Sequence, residues 1–381
     1  MTDPSLDANL DQRLDAVVSH DAADLFGLTE VLCAVPSVFP NEGPLTDAIE
    51  RRLRARCPKL AIHRVANNIV ARTELGRATR IVIGGHTDTV PANNNQQPRR
   101  EGDVLHGLGT ADMKSGLAVM LALGELSQQR EPEHDLTLFW YEGEEVAEVH
   151  NGLRALFASH PELVSGNLAI LMEPTGGWVE AGCQGTLHLE AVFRGARAHT
   201  ARPWMGSNAI HRAAEVLARI AGHDPGTTTV EGLEFRESVQ VVRIDGGVAN
   251  NVVPDECRVI VNRRFAPCHT SDAAEAQLRE LLDGADEIVL RNLSPAAAPN
   301  LTNPLVAQFV GTLDLAVRPK LGWTDVARFA SRGIPALNFG PGDPTLAHTA
   351  QERVDKAEIE GCFAALARFL GLAAEGTDGG V

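Results

Sequence analysis

Ile81-Val82-Ile83-Gly84-Gly85-His86-Thr87-Asp88-Thr89-Val90-Pro91 is an apolar run that ends abruptly in a histidine and a carboxylate two residues apart. β-Branched residues closing on Gly-Gly read as a buried strand, and the exit of such a strand in an open α/β sheet is where ligands sit. That places His86 at a site rather than in a core. A lone histidine after a strand is more often structural than a ligand, but His86 has company. Asp112, Glu144, Glu145, Glu173 and His348 each follow or flank an apolar or glycine-rich segment in the same way.

The apolar run 136–141 leads directly into Glu142-Gly143-Glu144-Glu145, and the run 168–172 delivers Glu173 before Pro174. Three carboxylates in four residues on a loop usually signify only surface charge. At a strand exit in a shared sheet they have to converge, and converging anions require cations. Asp112, in Gly107-Leu-Gly109-Thr-Ala-Asp112-Met-Lys-Ser-Gly116, precedes an apolar helix expected over 117–126, where helix capping is the bland alternative. His348 lies in the Pro-Gly-Asp-Pro loop after a strand expected over 334–339.

At 381 residues the chain exceeds what one core usually organises, so two domains are expected. Apolar residues make up 44% and charged residues 22%, as in a soluble globular protein. The formal net charge of −16 argues against nucleic-acid binding, which needs clustered Lys and Arg. Six scattered cysteines without a C-x-x-C pair suggest neither a disulfide framework nor a thiolate zinc site, and fit a reducing compartment. Residues 1–20 are acidic and weakly patterned, read as a frayed lead-in and not as a signal peptide. No run approaches transmembrane length, so a cytoplasmic protein is expected.

Helical spacing covers 22–34 and 44–56, and short strands are expected at 62–65 and 69–72. Residues 91–108, rich in Asn, Gln, Gly and charge, read as a surface loop beside the site. After a break at 182–185 the elements read strand 187–194, helix 208–221, strands 239–245 and 257–265, helix 272–282 and strand 287–293. That βαββαβ order is the ferredoxin-like split unit. The expected organisation is therefore α/β: a mixed-sheet catalytic domain from residues 1–185 and 294–381, interrupted by an inserted domain over 186–293. Residues 295–303 form the return linker. Helices at 304–311, 324–331 and 355–372 complete the chain.

Two histidines with several carboxylates and no cysteine make a donor set suited to Zn, Mn or Co. A shared carboxylate can bridge two such ions, which together activate a water for hydrolysis. A free carboxylate is then needed as proton acceptor, and Glu144-Glu145 supplies neighbours for coordination and base. Asp88 is placed to accept from the other ring nitrogen of His86 and fix its tautomer.

Together, His86-Thr-Asp88, Gly109-Thr-Ala-Asp112-Met-Lys, Glu142-Gly-Glu144-Glu145, Met172-Glu173-Pro174 and Ala347-His348 resemble the motif series of the co-catalytic zinc aminoacylase and carboxypeptidase family. The resemblance runs from about Ile81 to the C-terminus and includes the inserted domain. It implies one zinc held by His86, Asp112 and Glu173 and a second by Asp112, Glu145 and His348, with Asp112 bridging and Glu144 as general base and acid. It further implies that His199, in Gly195-Ala-Arg-Ala-His199-Thr, crosses a homodimer interface formed by 186–293 to stabilise the oxyanion. Asn251 and Arg264 match positions that bind substrate carboxylate.

Residues 198–211 and 338–348 most resemble the branch that hydrolyses N-succinyl-LL-2,6-diaminopimelate to succinate and LL-2,6-diaminopimelate. Hydrolysis of acetylornithine or of other acyl or peptidyl amino acids is the alternative, and a non-catalytic metal-binding relative a remote one. One departure stands out. Another part of that branch has Gly-Arg-Arg-Gly-Ser at the domain junction, whereas this chain has Gly182-Cys183-Gln184-Gly185-Thr186. A carboxylate-binding arginine is absent there, so another arginine, such as Arg202, substitutes, or the acyl preference differs.

Overall fold

The structure is a computed structural model describing residues 4–312 and 315–373. It comprises two compact units, one of residues 1–180, 301–318 and 332–381, the other of 181–300 and 319–331.

The first unit is built on an eight-stranded sheet in the order Ala61–Val65, Asn68–Arg72, Asp135–Tyr141, Arg80–His86, Leu168–Leu171, Ala336–Asn338, Val179–Ala181, Val317–Pro319. The four strands from Asp135–Tyr141 to Ala336–Asn338 are parallel, with His86 opposite Tyr141 and Gly84 opposite Leu171. Their carboxyl ends therefore share one edge. Asn68–Arg72 and Ala61–Val65 add antiparallel strands at the other side. Every residue of Asp135–Tyr141 is buried, which is why these strands read as unbroken apolar runs rather than alternating ones.

Gly84 and Gly85 are small for packing reasons. A Cβ on Gly84 would sit 1.9 Å from the Phe139 ring, and one on Gly85 2.3 Å from the Met113 methyl. Gly84 makes room for the Phe139 ring of the neighbouring strand, and Gly85 lets Met113 and Leu117, at the start of helix Lys114–Gln129, press onto the strand that carries His86.

Two segments differ from what the sequence predicts. The lead-in expected over 1–20 is a helix, Pro4–Ser19, as far as the described residues reach. Leu10, Leu14 and Val17 repeat at helical spacing, and Leu14 and Val17 are buried. The fully buried Arg52 fixes this helix by donating from Nη1 to the Val17 carbonyl (2.6 Å) and from Nε to Glu125 (2.7 Å). The surface loop expected over 91–108 contains a hairpin, Arg99–Glu101 with Val104–His106, which Arg353–Asp355 extends to three strands. Strands of three residues carry too little alternation to be read from sequence.

The second unit has a four-stranded antiparallel sheet in the order Ser238–Gly246, Glu256–Phe265, Gly185–Arg194, Glu287–Ser294. Helices Ala209–Ala221 and Ser271–Leu281 pack on one face, over a core that includes Leu189, Phe193, Val261 and Leu278. This is the ferredoxin-like order. A hairpin absent from the sequence reading, Thr227–Val230 with Leu233–Arg236, is inserted after the first helix. The unit also takes in residues 319–331 with helix Val326–Ala330.

Candidate metal centre

His86 ends one central strand, Glu144 and Glu145 follow the end of a second, and Glu173 follows the end of a third. His348 comes from the loop after the fourth. Parallel register puts all of them at one edge of the sheet. Close backbone packing holds two of these loops together, since a Cβ on Gly340 would lie 2.5 Å from the Met172 carbonyl and 2.6 Å from that of Glu173. The Thr175 hydroxyl donates to the Gly340 carbonyl (3.0 Å) and accepts from its amide (3.1 Å).

Asp112 stands at the centre. Its Oδ1 is 3.0 Å from Nε2 of His86, and its Oδ2 is 3.4 Å from Nε2 of His348. Nε2 of His348 is also 2.8 Å from Glu145 Oε1. Three groups of donor atoms lie within 4.8 Å of one another: His86, Asp112 and Glu173; Asp112, Glu145 and His348; and His86, Glu144 and Glu145. Asp112 belongs to the first two, with a different oxygen facing each histidine.

Asp88 lies beneath, fully buried. Nδ1 of His86 is 3.0 Å from the Asp88 carbonyl oxygen and 3.4 Å from its carboxylate. The backbone carbonyl is thus the nearer partner that sets the tautomer. The Asp88 carboxylate has a second task, accepting from the amides of Glu144 (3.1 Å) and Glu145 (2.9 Å) and so clamping the loop that carries both.

The electrostatics favour positive charge at this place. With Nδ1–H directed at Asp88, the Nε2 lone pair of His86 points at an anionic oxygen of Asp112, an arrangement stable only with a positive centre between them. Burial opposes a charge on His86, but hydrogen bonds to Asp112 and Asp88 outweigh it and raise its pKa well above the usual value. Hydrogen bonds to Asp112 and then Glu145 lift His348 to about 10. Burial would raise Asp112, yet its bonds to His348 and His86 hold it well below the usual carboxylate range. Two imidazoles shifted up beside a carboxylate shifted down mark a place that favours positive charge, which divalent ions would supply on such ligands. Four carboxylates and two imidazoles converging in one place fit a pair of divalent ions in charge and in donor type.

Two supporting residues escaped the sequence reading. Glu352, 1% exposed, accepts through one oxygen from the amides of Ala111 and Asp112, each at 3.1 Å. One short segment therefore brings His348 to the cluster and supplies Glu352 as a brace for the Asp112 loop. Lys114, also 1% exposed, donates to the carbonyls of Val35 (2.6 Å) and Leu32 (3.3 Å) at the end of helix Leu25–Cys33. Burial lowers its pKa to about 8. The sequence showed Lys114 only as the last letter of a motif, and Glu352 only by its spacing of four from His348. His348 itself has φ +63°, a left-handed conformation that costs a non-glycine residue about 1 kcal/mol or more and tends to be kept at functional sites.

His199, Asn251 and Arg264 lie in the second unit. His199 is exposed, and its Nδ1 accepts from the Ala201 amide at 3.0 Å. Thr200 donates to the Asn251 carbonyl (3.1 Å) and Val253 to that of Ala198 (2.8 Å), which sets the His199 and Asn251 loops side by side. Arg264 is half-buried near the end of strand Glu256–Phe265.

The sequence profile of peptidase family M20/M25/M40 matches residues 82–371. A Mycobacterium tuberculosis protein named "Putative succinyl-diaminopimelate desuccinylase DapE" is 44% identical over 349 residues, covering 91% of this chain and 98% of its own. The succinyl-diaminopimelate desuccinylase of Corynebacterium glutamicum is 41% identical over 358 residues, covering 91% and 97%. In fold, the chain resembles a tripeptidase from Staphylococcus aureus with a TM-score of 0.77 at 20% identity, over 92% of this chain and 98% of that one. A profile match over most of the length and relatives this similar from end to end lead to one conclusion: the chain belongs to peptidase family M20/M25/M40.

Proposed function

We propose that this protein removes the succinyl group from N-succinyl-LL-2,6-diaminopimelate by hydrolysis, giving succinate and LL-2,6-diaminopimelate for lysine and cell-wall precursor synthesis. The observation that carries the hydrolytic reading is Asp112, whose two oxygens face separate histidines beside a clamped Glu144-Glu145 pair. The end-to-end similarity to two proteins named for this reaction supports the substrate.

In this reading His86, Asp112 and Glu173 hold one divalent ion, and Asp112, Glu145 and His348 the other, with zinc preferred and cobalt or manganese suited to the same donors. When bound, such a pair polarises the amide carbonyl and acidifies the attacking water. Glu144 accepts the proton that water loses and returns it to the departing amine nitrogen, so that one carboxylate serves as base and then acid. Asp88 keeps Nε2 of His86 turned to the site. Asn251 and Arg264 bind substrate carboxylate.

His199 stabilises the oxyanion in the site of a neighbouring subunit, which makes the working form a homodimer through residues 186–293. The edge strand Ser238–Gly246, with exposed Val242 and Ile244, offers a surface for such pairing. Among the described residues no helix is long and apolar enough to cross a membrane. Free cysteines suit a reducing cytoplasm.

The test is turnover of N-succinyl-LL-2,6-diaminopimelate, N-acetylornithine and small peptides by the zinc-loaded protein. The reading expects kcat/KM for the succinyl substrate to exceed the others by at least about a hundredfold, a difference of roughly 2.7 kcal/mol. Preference for acetylornithine or a peptide would overturn it. The cysteine and glutamine at 183 and 184 make that comparison informative.

A further inference from the structure

The face of the four-stranded sheet turned away from its helices changes character along its length. Opposite residues in antiparallel strands share a face. In the middle of the sheet the outward arginines are paired, Arg258 and Arg291 with Glu190, and Arg243 with Asp245. Arg194 pairs with Glu256 and Glu287, and on the helix side Arg263 lies 3.6 Å from Glu237. Arg264 differs from every other arginine of this sheet. It is half-buried, and among the described residues no carboxylate pairs with it. In a chain of net charge −16, a guanidinium kept from carboxylates and partly dehydrated is arranged for an anion that comes from outside.

Arg264 stands opposite Thr186, and the next outward row places Asn262 opposite His188. His188 and Arg264 are thus diagonal neighbours, with Cα atoms about 7–8 Å apart, a separation that one carboxylate can span between two side chains. The Asn262 amide nitrogen is 3.1 Å from the Thr186 hydroxyl and 3.0 Å from Nε2 of His188. An amide nitrogen only donates, so Nε2 accepts and the imidazole proton resides on Nδ1, leaving a neutral ring with one N–H donor. Burial, and then the charge of Arg264, hold the His188 pKa below its usual value, which agrees with a neutral ring.

We infer that His188, oriented by Asn262, is a second binding residue beside Arg264 for a substrate carboxylate remote from the scissile amide, supplying a hydrogen bond where the Gly182–Thr186 junction has no arginine. This deepens the proposed function and rests on its assignment of Arg264 to substrate. The substrate class it selects is an N-acyl amino acid with an additional carboxylate.

The experiment measures KM and kcat for His188→Ala, His188→Phe and His188→Gln in the zinc-loaded full chain. The substrates are N-succinyl-LL-2,6-diaminopimelate and two analogues, one lacking the acyl carboxylate and one lacking the distal amino-acid carboxylate. The alanine and phenylalanine variants should raise KM about ten- to hundredfold, the worth of one hydrogen bond to a charged group, with kcat within about threefold of wild type. The penalty should disappear for whichever analogue lacks the recognised carboxylate, and glutamine, which can donate, should recover part of the loss. His188→Phe keeps a ring in place, so it decides the matter if the alanine variant does not fold.

Unchanged KM in both variants, or an equal loss on all three substrates, would overturn the inference. If wild type turns over a different acyl amino acid, the desuccinylase reading fails by itself. The His188 variants are then judged on that substrate with and without its extra carboxylate.

Discussion

Glu352→Ala is the perturbation whose cost the structure fixes most closely. One Glu352 oxygen accepts from the amides of Ala111 and Asp112 at 3.1 Å each, in a position 1% exposed. Leaving two buried amides without an acceptor costs about 1–3 kcal/mol apiece. Water entering the vacated space recovers part of this, so the expected loss is roughly 2–4 kcal/mol, read by urea unfolding of the metal-free protein. Asp112 would also lose the restraint that aims its two oxygens, and loss of such a brace typically weakens metal binding about 10–100-fold, measured by chelator competition. Glu352→Gln retains a carbonyl oxygen in the accepting position and should remain within about 1 kcal/mol of wild type. Burial lifts the Glu352 pKa to about 7, so a neutral side chain is already tolerated there. An alanine variant with wild-type stability and metal affinity would refute the bracing role, as would a glutamine variant no better than alanine.

Glu144→Gln should keep its metals and lose about 10²–10⁴ in kcat, since the attacking water then has no proton acceptor; turnover and metal content on the same sample decide this, and near-normal turnover removes Glu144 from the mechanism. Mixing inactive His199→Ala and Glu144→Gln chains should restore activity, because a mixed dimer holds one site with both groups intact. Random exchange makes half the dimers mixed, giving about a quarter of the wild-type rate; no recovery after verified exchange contradicts the shared site. Asp135 is opposed by burial but held below the usual carboxylate pKa by hydrogen bonds from Leu75, Thr73 and Arg77. Its stabilisation is therefore fully present above its unfolded pKa of about 3.9 and is lost as pH falls through the lower folded value. Asp135→Asn should cost about 1.5–3 kcal/mol at neutral pH, with the gap to wild type narrowing below about pH 4 in denaturant titrations.

The sheet edge was legible in the sequence because central parallel strands are unbroken apolar runs and a polar residue at their exit stands out. His86, Glu144, Glu145 and Glu173 all carried that signal. Asp112 and His348 lie in loops, where the glycine-rich context was the cue. What support them was hidden, since Glu352 and Lys114 act by hydrogen bonds to backbone groups distant in sequence, and nothing local distinguishes them from ordinary surface charges. The same holds for His188, whose meaning depends on the strand register that sets it beside Asn262 and diagonal to Arg264. The Pro4–Ser19 helix was obscured by its acidity; among residues 10–19 only a narrow stripe through Leu14 and Val17 is buried. The hairpins at 99–106 and 227–236 have strands too short for a period to emerge.

The central claim is a two-metal hydrolytic centre organised by Asp112, and metal per chain tests it most directly. Wild type and Asp112→Ala should be loaded with zinc, dialysed against a weak chelator and analysed by mass spectrometry, with circular dichroism to verify folding. The account predicts two ions per wild-type chain and the loss of both from the variant, because one carboxylate faces both histidines. A folded Asp112→Ala protein that holds two ions as tightly as wild type would contradict it.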